Sequence, residues 1–137
     1  MTAVRECDKA SPVPCRARAG SRVLVVDADS GVVRRLEICL TLAGYEVDTA
    51  ADGPEALSRA RKVRPDAVLL DLTLPSTDGL TVLHDLRAAG IEAPVLFVTA
   101  CDALQDKLVG LAAGADDYIT KPFNVDEVVT RLWVVLR

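Results

Sequence analysis

At 137 residues the chain has the length of one domain with a full core. Half of its residues are hydrophobic, but no apolar run approaches the roughly 20 residues that span a bilayer, and the opening MTAVRECDKASPVPCRARAG lacks the apolar centre of a secretory signal. A net charge of −4 with no basic stripe makes the domain by itself a poor nucleic-acid binder, and a cytoplasmic protein with no membrane partner is expected.

Residues 1–20 carry two prolines, two cysteines and mixed charge without apolar periodicity, and are expected to be a disordered leader before a single domain at 21–137. Arg22 to Val26 reads as a strand buried on both faces, and it ends in acid: Asp27-Ala28-Asp29-Ser30. Val33, Leu36, Leu40 and Ala43 recur at helical spacing, with Gly44 closing that helix. A short strand follows from Tyr45 to Thr49. Asp52-Gly53-Pro54 then turns into a helix with Ala56, Ala60 and Val63 on one face.

The apolar run from Ala67 to Leu70 leads straight into Asp71 and a loop with Pro75, Ser76 and Asp78. Asp78 is expected to cap a helix over about 79–89 whose inner side is Leu80, Leu83 and Leu86. Another apolar strand runs from Pro94 to Val98 and ends in Thr99-Ala100. Asp102 is expected to cap a helix carrying Leu104, Leu108 and Leu111, which stops at Gly114. A last strand from Asp117 to Thr120 precedes Lys121-Pro122-Phe123. The final helix, from about Asn124, has Val125, Val128, Val129, Leu132, Val135 and Leu136 on its inner face. Glu127, Thr130, Arg131 and Val134 lie opposite.

Strand and helix thus alternate five times, which predicts an α/β fold with helices on both faces of a parallel sheet. The doubly wound, flavodoxin-like order 2-1-3-4-5 is expected, in three layers. That order sets the Asp27/Asp29 end beside Asp71, with Thr99 ending the fourth strand and Lys121 following the fifth. Ligands of open parallel sheets collect at this edge.

A carboxylate at a strand end can be metal ligand, nucleophile or loop cap. Several at one mouth repel one another unless a cation sits among them, and oxygen donors without cysteine or histidine favour magnesium. A lysine and a threonine hydroxyl on the same rim suit phosphoryl oxygens. The chemistry inferred is phosphoryl transfer to an aspartate nucleophile. Taken singly, each residue reads more readily as a helix cap or a solvated charge. Five of them at one sheet edge is what points to a site. The cysteines (Cys7, Cys15, Cys39, Cys101) show no C-x-x-C spacing and read as reduced thiols, and His84, the only histidine, reads as a surface residue.

From about Arg22 onward the chain resembles the receiver domain of two-component response regulators, which is CheY-like in fold. VLVVDAD is similar to the family's acidic pocket, and LLDLTLPSTDG to its phosphoacceptor strand and loop. Thr99-Ala100 resembles the switch threonine and its small neighbour, and DYITKPF the switch aromatic and the Lys-Pro pair, whose peptide bond is cis in the family. The resemblance implies that Asp71 accepts a phosphoryl group from a sensor histidine kinase. It implies Mg2+ held by Asp71, the acidic pocket (Asp27 and Asp29) and the backbone carbonyl of Thr73. Lys121 and Thr99 would bind phosphoryl oxygens, and Tyr118 would turn inward as Thr99 moves.

GLAAGADDYITKPF and the last helix are most similar to OmpR/PhoB-type regulators, whose second half is a winged-helix DNA-binding domain that these residues do not include. A truncated regulator or a stand-alone receiver is therefore expected, reaching promoter DNA only through that second half. The same resemblance implies a homodimer through the fourth helix, fifth strand and fifth helix, with Lys107 facing Glu127, Asp117 facing Arg131, and Val134 on the same surface. One departure stands out. The pocket's second acid, ordinarily the direct metal ligand, is Ala28 here, so weak magnesium binding is expected unless Asp29 substitutes.

Two other classes fit parts of the pattern. A degenerate receiver serving only as an interaction module would account for Ala28, but not for Asp71, Thr99 and Lys121 together. A haloacid-dehalogenase-type phosphatase would use LVVDADSGV as its nucleophile loop, with Asp27 attacking and Asp29 as acid, and would leave Asp71 without a role.

Overall fold

The computed structural model describes residues 21–101 and 103–137. The expected leader at 1–20 and the expected cap Asp102 lie outside the described residues. Five parallel strands, β1 (Arg22–Val26), β2 (Glu46–Ala50), β3 (Ala67–Leu70), β6 (Val95–Thr99) and β7 (Asp117–Thr120), form one sheet. Its order is β2-β1-β3-β6-β7, which is 2-1-3-4-5 when sheet strands alone are counted. Between β3 and β6 a small antiparallel hairpin, β4 (Thr73–Leu74) with β5 (Thr77–Asp78), interrupts what the sequence marks only as loop. Ser76 makes its turn at φ 66°, a left-handed conformation that a small polar residue tolerates.

Alternation along each strand divides the core. Leu24, Val26, Val68, Leu70 and Phe97 point to one face, where α2 (Gly53–Val63) and α3 (Gly79–Ala88) cover them. Val23, Val25, Leu69, Leu96, Val98 and Ile119 point to the other, beneath α1 (Ser30–Leu42) and α5 (Val125–Leu136). Asp29, Asp52, Asp78 and Asn124 cap α1, α2, α3 and α5 with side-chain oxygens, and Gly44 follows α1 at φ 102° as the sequence suggests.

Differences from expectation are local. On α3 the buried residues are Val82, Leu83 and Leu86, and Leu80 is half-buried at the rim. Helix α4 (Leu104–Ala112) starts from Ala103, which makes no side-chain cap bond. Its leucines face outward: Leu104 is 70% exposed and Leu108 57%. The helix meets the sheet through Gly110 instead, where a Cβ would lie 3.2 Å from the Phe97 ring and 3.5 Å from Tyr118. Helical spacing tells which residues share a face, not which face a sheet accepts. Here the small residue lets backbone and ring approach. His84 is exposed, and Cys39 and Cys101 are half-buried free thiols.

Candidate functional site

Side-by-side pairing of β1 and β3, with Val26 opposite Leu70, brings the next residue of each strand together. The Asp71 amide donates to the Val26 carbonyl at 3.0 Å, and the Asp27 amide to the Ala50 carbonyl at 3.1 Å. Both carboxylates are buried, Asp27 to 4% exposure and Asp71 to 8%. They divide their oxygens alike. Asp27 Oδ1 accepts from the Asp29 amide at 2.8 Å, and Asp71 Oδ1 from the Thr73 amide at 3.2 Å. Their Oδ2 atoms converge on Lys121 Nζ, at 2.7 Å and 3.0 Å. Lys121 reaches them from the end of β7, where its amide donates to the Thr99 carbonyl at 2.8 Å and a cis bond joins it to Pro122.

Electrostatics follow from that geometry. Burial lowers the proton affinity of the Lys121 ammonium, but its bonds to Asp27 and Asp71 outweigh this, so its pKa stands above the ordinary lysine value. Burial pushes Asp27 above the ordinary aspartate value, against the lowering effect of Lys121 and the Asp29 amide. A buried charge is kept only when paired, and this one ammonium serves two carboxylates.

Thr99 ends β6 in full burial, and its Oγ1 accepts from the Cys101 amide at 3.3 Å. Tyr118 lies inward already, 9% exposed, its ring 6.0 Å from that of Phe97 and its hydroxyl donating to the Cys101 carbonyl. Thr73 Oγ1 and Cys101 Sγ stand 3.8 Å apart. Cys101 thus touches Thr99, Thr73 and Tyr118 together, a junction that no motif in the sequence marks.

The structure therefore gathers Asp27, Asp71, Lys121, Thr99, Thr73 and Tyr118 at one sheet edge. Asp29 is turned elsewhere. It is exposed, and its Oδ1 caps α1 by accepting from the amides of Gly31 at 2.9 Å and Val32 at 3.3 Å. Among the described residues no group of three or more His, Cys, Asp or Glu side chains could hold a metal ion. The two converging carboxylates still suit a hard cation. Their donors are oxygens, and an ammonium already stands between them.

Away from this edge, Arg131 of α5 makes its ion pairs within the chain. It reaches Asp117 at 3.0 Å and Glu127 at 3.1 Å, and these carboxylates, Asp117 above all, hold its pKa above the ordinary arginine value. Leu104, Leu108, Val109, Leu111 and Val134 leave apolar surface exposed on α4 and α5. Among the described residues no helix is long and apolar enough to cross a membrane.

Residues 23–133 match the family described as response regulator receiver domain. The chain is 48% identical over 115 residues to the probable transcriptional regulatory protein TcrX of Mycobacterium tuberculosis, covering 84% of this chain and 49% of that protein. To the transcriptional regulatory protein PrrA of Mycobacterium leprae it is 49% identical over 116 residues, 85% of this chain and 50% of that one. The chain spans about half the length of these curated relatives. Its fold superposes on a CheX-CheY-BeF3-Mg+2 complex from Borrelia burgdorferi with TM-score 0.82 and 32% identity, covering 87% of this chain and 91% of that one.

Proposed function

The chain belongs to the response regulator receiver domain family, and from that premise we propose that it is a phosphoacceptor switch with Asp71 as the acceptor. The observation that carries this reading is the shared ammonium: Lys121 holds one oxygen of Asp71 and one of Asp27 in a buried site. In the reaction an Asp71 carboxylate oxygen attacks the phosphorus of a phosphohistidine on a sensor kinase. The P–N bond breaks as the O–P bond forms, and the imidazole leaves with its electron pair. Lys121 and the Thr99 hydroxyl offer donors for the phosphoryl oxygens, and the Thr73 amide steadies Asp71 through its other oxygen. Mg2+, held by Asp27, Asp71 and the Thr73 carbonyl, would supply charge neutralisation when bound. A structural neighbour crystallised with BeF3 and Mg+2 supports this.

Signalling, rather than turnover, is then the chain's work, in the cytoplasm and with promoter DNA contacted through a further domain such as half of each transcriptional relative would provide. A small phosphodonor with magnesium should load at most one phosphoryl group per chain, labile to hydroxylamine as an acyl phosphate is. Sustained hydrolysis of a chromogenic phosphate ester would contradict the reading and favour the phosphatase alternative.

The output we propose is a homodimer through α4, β7 and α5, supported by the exposed leucines and Val134. Lys107 would face Glu127, and Asp117 the partner's Arg131, exchanging the pair now closed within one chain. Rim pairs contribute about 0.2–1 kcal/mol each, so they set register while apolar contacts supply affinity. Mixing separates the two arrangements. Arg131→Glu and Asp117→Arg should each weaken dimerisation of the phosphorylated chain, and mixing the two should restore it, because opposite charges then meet only between chains. Sedimentation velocity reads this, and a mixed sample that stays monomeric would place the interface elsewhere.

A further inference from the structure

We infer that Ala28 makes divalent-cation binding in this chain conditional on the phosphoryl group, so that the ion is taken up together with it and held weakly beforehand. The inference rests on the phosphoacceptor reading above and concerns the order in which that site fills. Two observations and a charge balance carry it.

No carboxylate replaces the one absent at residue 28. Ala28 is exposed and borders an open cleft of about 540 Å3, which Glu37 and Glu55 also line. Asp29 is occupied as the cap of α1. Glu55 accepts from the Ala51 amide at 2.9 Å and lies 3.9 Å from Arg59. None of these makes a third acid with Asp27 and Asp71.

The resting pair already has a cation. With Lys121 between them, two carboxylates and one ammonium leave a single net negative charge in a buried site. A divalent ion added there would overshoot to net positive and would meet the ammonium's repulsion. At low effective dielectric such an imbalance weighs heavily.

Phosphorylation reverses the balance. An acyl phosphate carries close to two negative charges where the Asp71 carboxylate carried one, and it brings new oxygens for Lys121 to follow. The site is then net negative by about two without metal and near neutral with it. An acid at residue 28 would change the resting state instead, bringing the unphosphorylated site to neutrality when the ion enters. By linkage, whatever factor the phosphoryl group adds to metal affinity, the metal adds to phosphoryl retention.

Calorimetric titration of Mg2+ into the full chain, alone and with excess beryllofluoride, tests this in wild type, Ala28→Asp and Asp29→Ala. Wild type alone should bind at least about tenfold more weakly than Ala28→Asp alone, the lower end of what one lost ligand-shell group removes. Beryllofluoride should tighten Mg2+ in wild type by a larger factor than in Ala28→Asp. Asp29→Ala should lower the unfolding midpoint and leave Mg2+ affinity as in wild type. Equal resting affinity in wild type and Ala28→Asp, or a loss of affinity in Asp29→Ala, would overturn the inference while leaving the acceptor role intact. If beryllofluoride changes Mg2+ binding in none of the variants, the phosphoacceptor reading fails and the inference with it.

Discussion

Gly79→Ala should destabilise the domain by about 3 kcal/mol, the upper part of the range for forcing extra volume into a packed site. Gly79 opens α3 against the end of β3, and its amide donates to the Leu72 carbonyl at 2.7 Å. A Cβ there would lie 2.5 Å from the Asp71 carbonyl oxygen, 2.9 Å from Leu72 Cα and 2.9 Å from the Phe97 ring. Two of those three neighbours are backbone, so no rotamer change relieves the contact, and the segment that must give is the one carrying Asp71. The variant should therefore also slow phosphorylation. Gly110→Ala is the fitting comparison, since its new Cβ would meet ring atoms of Phe97 and Tyr118 at 3.2–3.5 Å, which can yield by tenths of an ångström. Urea unfolding with an unchanged slope reads both. A Gly79→Ala midpoint no lower than that of Gly110→Ala would mean that the α3 start is not pressed on the β3 loop as described.

Particular residues show how much of this the sequence carries. Asp27 and Asp71 are legible because each follows a short, continuous apolar run of the kind that suits a strand buried on both faces. Lys121 and Thr99 become legible with the strand order, which alternation predicts. Once β1 lies beside β3, the geometry of the site is nearly determined. What stays hidden are choices among equivalent partners. Nothing in DADSG says that the Asp29 side chain turns to the α1 amides while its own amide turns to Asp27. Nothing near Arg131 says that Asp117 is met within the chain. The leucines of α4 mark a helix correctly but not its inward side, which depends on Gly110 and on the ring of Phe97 in β6. The β4–β5 hairpin and the Cys101 junction are likewise tertiary products, with residue types that loops use everywhere.

The second large effect is all or none. Covalent phosphoryl transfer needs one nucleophile, and Asp71 is the carboxylate at the end of the central strand, with Lys121 3.0 Å from its free-side oxygen. Asp27, also buried, is the competitor that a phosphatase reading would choose. An amide in place of either carboxylate keeps the shape and removes the charge, so the two substitutions ask the same question of two neighbours. Intact-mass spectrometry after exposure to a small phosphodonor with magnesium decides between them. Wild type should gain one phosphoryl group, and Asp71→Asn none. A label that survives Asp71→Asn and disappears in Asp27→Asn would contradict the assignment of Asp71 as the phosphoacceptor.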